Sequence, residues 1–308
     1  MDFCSNLNVS PRPLVTVAII TRNRSESLRK TLEAVSKLSY SNLEIVVVDN
    51  DSSDNTKSVV NEFEFCYLFS DKSNGFAKTR QIAVDAASGE FLLWCDDDVI
   101  PIIGWVEAYI NRFQKDDEIG LIAGKIVNHG FPEYMRFKGL QIITSNGFLT
   151  RVDNPETATI FSNLNMGQRM SAMKSIGGYD PFFRGGYEEV DLNLSFRAEN
   201  WKVVYEENAV VDHYHCFISY KKGRFFFGSQ LMRLYFYFKH RSVIKNEGFI
   251  QAELSAFGID IMKSVKISLA GIKRRDLGYF FIGCLEVFNA ITSRLVIPWI
   301  IWETKKTK

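Results

Sequence analysis

The stretch FLLWCDDDVIP, residues 91–101, passes from apolar and aromatic residues into three consecutive carboxylates, Asp96, Asp97 and Asp98. Like charges at the end of a strand raise one another's pKa and strain the fold unless a cation answers them. A hard divalent ion such as Mg2+ or Mn2+ takes oxygen ligands, and Mg2+ usually shares them with substrate phosphates. Asp96 and Asp98 flank one position, so both can aim at one site where the strand breaks. Asp97 points the other way if the strand alternation persists. An acidic turn capping the next helix is the plainer reading of the same letters. A second acidic block, Glu188-Glu189-Val190-Asp191, opens a segment of helical character, 188–200. Glu188 and Asp191 are three apart and share a helical face, so they can address one site. An acidic first turn of this kind also favours the helix dipole.

The surrounding elements set where these acids fall. LVTVAII (14–20) and LEIVVVD (43–49) read as short, buried, β-branched strands. SESLRKTLEAVSKL (25–38) has helical spacing at Leu28, Leu32, Val35 and Leu38, with Ser25 as its expected N-cap. A second helix is expected over 53–63, a strand over 66–70, a third helix over 75–87 and a strand over 90–96. Strand and helix alternating at this spacing predict βαβ units and a parallel sheet. Ligands of such sheets sit at the carboxyl ends of the strands, where Asp49 and Asp96–Asp98 fall. Residues 120–216 mix short strands with loops, with 121–127 and 201–215 extended, and from about 221 the chain reads as helical and aromatic-rich.

The chain has 308 residues, 46% of them hydrophobic, enough for one large domain or two modest ones. Its net charge of +1 excludes a whole-molecule argument for nucleic-acid binding. The charge is uneven: residues 217–308 carry 16 basic and 6 acidic side chains, leaving 21 and 30 in residues 1–216. An acidic body thus carries a basic tail. The five cysteines are scattered without a CxxC pair, which points to a reducing compartment and away from a zinc site. The N-terminal residues lack a basic start and an apolar run, so no signal peptide is expected. A cytoplasmic location is the expectation. The longest apolar stretch, 277–302, is broken by Glu286, Asn289, Arg294 and Pro298, short of the roughly 20 uninterrupted residues of a membrane span.

Three blocks together carry a resemblance. VAIITRNRSESLRKTLEAVSKLSYSNLEIVVVDNDSSDNT (17–56) has a strand, a T-x-N-R turn, a helix and an E-I-x-V-V-D ending. NGFAKTRQIAVDAASGEFLLWCDDDVIP (74–101) has A-x-G-E, a strand and a DxD before proline, and 163–215 contains GGYD and the EEVD block. The chain over 14–216 resembles the family 2 inverting glycosyltransferases. The resemblance implies a GT-A fold, an α/β architecture with a mostly parallel central sheet flanked by helices. A donor-binding half would span 14–128, an acceptor-binding half 129–216, and a helical C-terminal region 217–308.

Roles follow from the resemblance position by position. Thr21 and Asp49 match positions that meet a nucleotide's base and ribose, with Arg22 and Asn23 in the turn beside them. Asn50 stands where the family often has a second Asp, which leaves the base open. Arg80 matches an arginine facing the donor phosphates, and Gly75 would allow close backbone approach. Asp96 and Asp98 match the arms of the DxD motif, with Asp97 between them on the donor side. Mn2+ or Mg2+ held there would neutralise the leaving diphosphate. The family's base is a carboxylate in an E-D-x-D motif. Glu189 takes the Asp position, one methylene longer, and is the expected base, with Glu188 the alternative and Asp191 the third acid. His213 is expected to complete the metal shell, with His215 nearby. Asn165 and Met166 match the sugar pocket. Trp105 can line the acceptor side or, as tryptophan more often does, pack in the core.

The activity so implied is an inverting transfer of a sugar from a nucleotide-diphosphate donor to a hydroxyl of a glycan or lipid-linked glycan, as in cell-envelope polysaccharide synthesis. A non-catalytic scaffold is one alternative. A sugar-nucleotide pyrophosphorylase is another, but it would need a glycine-rich phosphate loop where TRNRSES (21–27) stands. In the tail, KKGRFFFGSQLMRLYFYFKHRSVIK (221–245) and KSVKISLAGIKRR (263–275) mix apolar faces with basic borders. That pattern fits an interfacial helix on an anionic membrane, at the inner face. A helical cap on the catalytic domain or a dimer interface fits it as well.

Overall fold

Strand β1 (Val15–Thr21) divides its side chains between two cores. Val15, Val17 and Ile19 enter one buried cluster and Ala18 enters the other. Period-two alternation does this wherever both faces of a sheet are covered. The computed structural model describes residues 12–130, 138–144, 147–214, 229–244, 249–274 and 277–306. After β1 come α1 (Ser25–Val35), β2 (Leu43–Asp49), α2 (Thr56–Asn61) and β3 (Cys66–Phe69). A short 3-10 turn (Lys72–Asn74) leads into α3 (Gly75–Ala86), β4 (Phe91–Cys95) and β5 (Val99–Pro101). Then come α4 (Trp105–Gln114), β6 (Ile119–His129), β7 (Leu140–Ile143), β8 (Leu149–Arg151) and β9 (Ile160–Phe161). β10 (Asn165–Arg169), α5 (Met170–Ser175), α6 (Glu188–Ala198) and β11 (Lys202–Tyr214) complete the sheet region.

The main sheet has the order β3-β2-β1-β4-β10-β6-β11-β5. β3, β2, β1 and β4 are parallel, β11 is parallel to β6, and β10 and β5 run against their neighbours. Two registers bring polar residues together at strand ends. Thr21 sits beside Asp49, and His213 sits between Val99 of β5 and Asn128 of β6. The mostly parallel α/β architecture expected from the sequence is therefore present. A small antiparallel sheet, β8-β7-β9, hangs on α6: Asn193 donates to the Phe161 carbonyl at 2.9 Å and accepts from the Phe161 amide at 3.1 Å.

Two local expectations need correction. Ser25 does not cap α1 with its side chain; its amide instead donates to Asp54 Oδ2 at 2.9 Å. The same carboxylate accepts from the Thr56 amide at 3.1 Å, so Asp54 serves the starts of α1 and α2 together. The helix expected over 53–63 is shorter, because that double cap fixes its start at Thr56.

The C-terminal residues form α7 (Ser229–Lys239), α8 (Arg241–Ile244), α9 (Phe249–Arg274), α10 (Leu277–Leu295) and α11 (Ile297–Lys306). α7 is no free amphipathic helix. Met232 and Leu234 to Phe238 join the same core as Trp94 and Met166 of the sheet. The interfacial role expected for 221–245 thus fails for its described α7 part, because the catalytic domain already covers that face; 221–228 and 245 lie outside the described residues. α9 and α10 run antiparallel, with Gly283 against Ser264 and Ser268, and Arg294 reaching Asp260 at 2.8 Å.

Gly75 opens α3 at φ +72°, and a Cβ there would collide with the Arg184 carbonyl. The close approach expected of this glycine is thus to the chain itself. Gly75→Ala is expected to cost about 1–2 kcal/mol more than Gly104→Ala in urea denaturation. Gly104 shares the positive φ but has nothing within 4 Å of its would-be Cβ.

Candidate active site

The three carboxylates after β4 part company in space. Asp97 turns inward, accepting from Thr21 Oγ1 at 2.7 Å and from Arg24 Nη1 at 2.6 Å. Asp98 takes the same guanidinium at 3.0 Å and lies 3.6 Å from His213 Nε2. Asp96 turns toward Arg80, 3.8 Å away, and keeps 31% of its side chain exposed. Burial pushes the Asp97 carboxyl up to about 6, against the opposing pull of Arg24 and of the Thr21 hydrogen bond. Burial also raises Asp96, opposed by Arg80. The cation that the triplet demands is thus partly Arg24. The spacing of the acids alone gives no hint of it, although it is the last residue of the T-x-N-R turn.

Arg80 lies at the centre. It is buried, stacks over the Trp94 ring at 4.8 Å, and stands between Asp96 and Glu188, whose Oε1 is 4.0 Å from Nε. Its Nε and Nη1 have no hydrogen-bond partner among the described residues. Trp94 supplies a face that a guanidinium prefers, and Arg80 links the two acidic blocks. Glu188 keeps only 9% of its side chain exposed, and Oε2 has no partner among the described residues. Burial first, then the neighbouring Glu189, pushes Glu188 up to about 7, with Arg80 opposing. Glu189 is half-buried and accepts from the Asn163 amide at 2.9 Å. Burial raises its carboxyl too, against that hydrogen bond and Arg80.

Asp191 does not address the same site as Glu188. The three-residue offset turns it toward α7, where it accepts from His240 Nε2 at 2.7 Å and pairs with Lys239 at 2.8 Å. Burial would raise its carboxyl, but His240 and Lys239 outweigh burial and hold it below its usual range. Lys239 also meets Asp180 at 2.7 Å. Asp191 is therefore a tie between α6 and the C-terminal helices, and no motif in the sequence announced its partners.

The residues expected to face a nucleotide are largely self-engaged. Asp49 accepts from the Ser52 amide and the Tyr67 hydroxyl, each at 2.9 Å. Asn50 donates to Thr79 Oγ1 at 3.2 Å, and its buried Oδ1 has no partner among the described residues. Asn23, at φ 52°, accepts from the Ser53 amide at 2.7 Å and its own amide donates to Ser52 at 2.8 Å. These bonds lock the 22–24 turn to the 51–54 turn, with Arg22 half-buried between Thr21 and Asn23.

Two assignments fail on geometry. Asn165 is buried, and all four of its hydrogen-bonding positions are spent: Oδ1 accepts from Trp105 and Tyr109 at 2.8 Å each, and Nδ2 donates to Lys125 and Ala209 carbonyls at 2.9 and 2.8 Å. No valence remains for a donor sugar. Trp105 is fully buried as its partner, so it does not line an acceptor site. Met166 packs in the core with Trp94. Strand alternation explains this, because Asn165 and Met166 face opposite sides of β10.

Among the described residues, no three His, Cys, Asp or Glu side chains converge as a preformed metal cage. The donor set still fits a divalent ion whose shell substrate phosphates complete. Asp98 and His213 face each other, Asp96 opens to solvent nearby, and Asn128 Oδ1 lies 2.9 Å from His213 Nδ1. With Nδ1 donating to Asn128, the lone pair of Nε2 is turned toward Asp98. His215 lies outside the described residues.

The family model for glycosyl transferase family 2 matches residues 16–177. The chain belongs to this family. The match takes in the T-x-N-R turn and the DxD acids and ends before α6. Among curated relatives, the pre-mycofactocin glycosyltransferase of Mycobacterium tuberculosis is 28% identical over 207 residues, 65% of this chain and 43% of the relative. A UDP-Glc:alpha-D-GlcNAc-diphosphoundecaprenol beta-1,3-glucosyltransferase of Escherichia coli is 33% identical over 107 residues, 34% of this chain and 42% of the relative. The chain thus spans under half the length of these relatives. Among solved structures, GalNAc-T7 with UDP, GalNAc and Mn2+ aligns with TM-score 0.62 at 15% identity, over 74% of this chain and 48% of that one. At that identity the likeness speaks for the GT-A fold alone.

Removing Arg24 takes a cation from two buried carboxylates, Asp97 and Asp98. Arg24→Gln is expected to lose on the order of 2 kcal/mol at pH 7.5, less than a fully buried pair because Arg24 keeps 22% of its side chain exposed. The loss should shrink as the pH falls toward 6 and below, where Asp97 takes up a proton. Thermal melts across pH check it.

Proposed function

We propose that this family member transfers a sugar from a nucleotide-diphosphate donor to a hydroxyl of a glycan or lipid-linked glycan, with inversion at the anomeric carbon. One observation carries the reading: a buried arginine, Arg80, stands between an acid of the DxD motif, Asp96, and an acid of the base block, Glu188. A cation in that position joins a site for a charged donor to a site for proton removal. A scaffold has no need to bury it there at the cost of partnerless nitrogens.

Asp49 is suited to accept from a base N–H at the end of β2. A divalent ion held by Asp98, His213 and Asp96 would neutralise the departing diphosphate. Glu189 is the base in this reading. Its carboxylate is half-buried and so reachable, and the Asn163 amide fixes one oxygen. Burial and mutual repulsion raise both carboxyls of this pair, Glu188 to about 7, so the two share a proton near neutral pH and give it up as the pH rises. In the single displacement the acceptor oxygen bonds to the anomeric carbon as the bond to the diphosphate oxygen breaks. The acceptor proton passes to Glu189, and the nucleoside diphosphate leaves. Asp191 positions this helix through α7 and takes no proton. The lipid-linked acceptor named for the Escherichia coli relative supports an acceptor of that class, presented at a membrane.

Calorimetric titration of UDP, GDP and dTDP, with and without Mn2+, tests the donor site. One nucleotide should bind in a metal-dependent way and lose affinity in Asp98→Ala; binding of none would sink the transferase reading. Glu189→Gln should keep nucleotide binding and lower kcat about 10²–10⁴-fold. In wild type the donor KM should rise as the pH passes about 7, because ionised Glu188 offsets Arg80. Glu188→Gln should flatten that rise.

A further inference from the structure

The hairpin α9–α10 turns Glu253 and Asp260 inward and apolar residues outward. Arg233 of α7 grips Glu253 at 2.9 Å, and Arg294 of α10 meets Glu253 at 3.0 Å and Asp260 at 2.8 Å. Glu253 and Asp260 are both spent on these inner contacts; the side chain of Glu286 lies outside the described ones. On α10 the outer face is Leu277, Phe281, Leu285, Phe288, Ile291 and Leu295, spaced by three and four along one side of the helix. The first and last are 73% and 74% exposed. On α9, Val265, Leu269 and Ile272 are exposed, with Lys263, Lys266 and Lys273 exposed among them. Trp299 and Trp302 of α11, which packs on α7, are each about half exposed as well.

We infer that this outward face of α9–α10, with the α11 tryptophans, seats the protein in the headgroup region of an anionic phospholipid bilayer. An apolar face of this size is not left to water without a partner. A second copy is a poor occupant, because a two-fold interface places a patch against itself and would set these lysines against their own kind. An anionic bilayer meets both features: acyl boundaries take the Leu and Phe side chains, headgroups take the lysines, and tryptophans suit the interface. No helix among the described residues is long and apolar enough to cross a membrane, so the hairpin lies in the plane of the surface. The basic C-terminal region serves the same end, with 16 basic against 6 acidic residues in 217–308.

The face is also tied to the chemistry. α7 packs on α10 and α11, and its Lys239 together with the following His240 holds Asp191, two residues beyond the proposed base. Seating the hairpin therefore sets the orientation of α6 toward the membrane. The use of this surface, presenting a lipid-linked acceptor, rests on the transferase reading; the surface itself rests on the hairpin alone.

The test is flotation of the full chain with vesicles of phosphatidylcholine and of phosphatidylcholine with 30% phosphatidylglycerol, with UDP, GDP and dTDP binding in Mn2+ measured on the same preparations. Wild type is expected to float with the anionic vesicles and far less with the neutral ones. The double variant Phe281→Glu/Phe288→Glu should lose flotation while nucleotide binding stays at the wild-type level. Lys266→Glu/Lys273→Glu should weaken flotation about fivefold or more for each lysine removed. Absent flotation of wild type, or unchanged flotation in the Phe variant, overturns the inference. So does a wild-type dimer by light scattering that the Phe variant turns to monomer without any vesicle binding, for then a second copy covers the face. Loss of nucleotide binding in every preparation, with flotation intact, would overturn the transferase reading and leave the surface standing.

Discussion

Five carboxylates gather where β4 ends and α6 begins, and two guanidiniums, buried Arg80 and half-buried Arg24, make that possible. Arg24 answers Asp97 and Asp98, and Arg80 stands between Asp96 and Glu188. Without them the local charge would push most of these acids to their neutral forms or push the two segments apart. The two arginines come from different places, one from the turn after β1 and one from the buried face of α3. The sheet order puts β1 beside β4, which brings Arg24 to the triplet. The stacking of Arg80 on Trp94 holds the other in place. The same arginine ties α3 to the start of α6 through Glu188.

The site also shows how one type of residue is divided among tasks by its surroundings. Asp97 is structural, satisfied by Thr21 and Arg24. Asp98 is buried between Arg24 and His213, and Asp96 keeps part of its carboxylate exposed beside Arg80. Glu188 and Glu189 are neighbours in sequence, yet one is shut in beside Arg80 and the other is held by the Asn163 amide. Burial drives their pKa values upward and their mutual repulsion couples them, so the pair behaves as a unit with a proton to spare near neutrality. Asp191 is removed from this group by Lys239 at the end of α7 and by His240 just after it. The C-terminal helices are therefore part of the site's support, since α7 shares the core with β4 and β10.

Much of this is legible in the chain itself. Short β-branched runs such as VTVAIIT and LEIVVVD predict buried strands because little else can hide them, and their alternation with amphipathic stretches predicts a parallel sheet. Strand ends predict where acids will cluster, so position and type suffice to single out Asp49, Asp96 and Asp98. Element boundaries are harder. Asp54 caps two helices at once, and a residue that works across a gap of about 30 positions gives no local signal.

The sequence by itself determined the alternating elements, the acidic strand ends and the family's first two motif blocks. These depend on local periodicity and on residue type, which are properties of the chain read in one dimension. Only the tertiary structure decided which acid meets which cation. It removed Asn165 and Trp105 from the pocket by pairing them in the core, gave Asp191 to Lys239 and His240, and set Arg80 between the two acidic blocks. It also separated the aromatic tail into a buried helix and an exposed hairpin. Each of those choices joins residues many positions apart, and a side chain's direction is settled by what the fold brings against it.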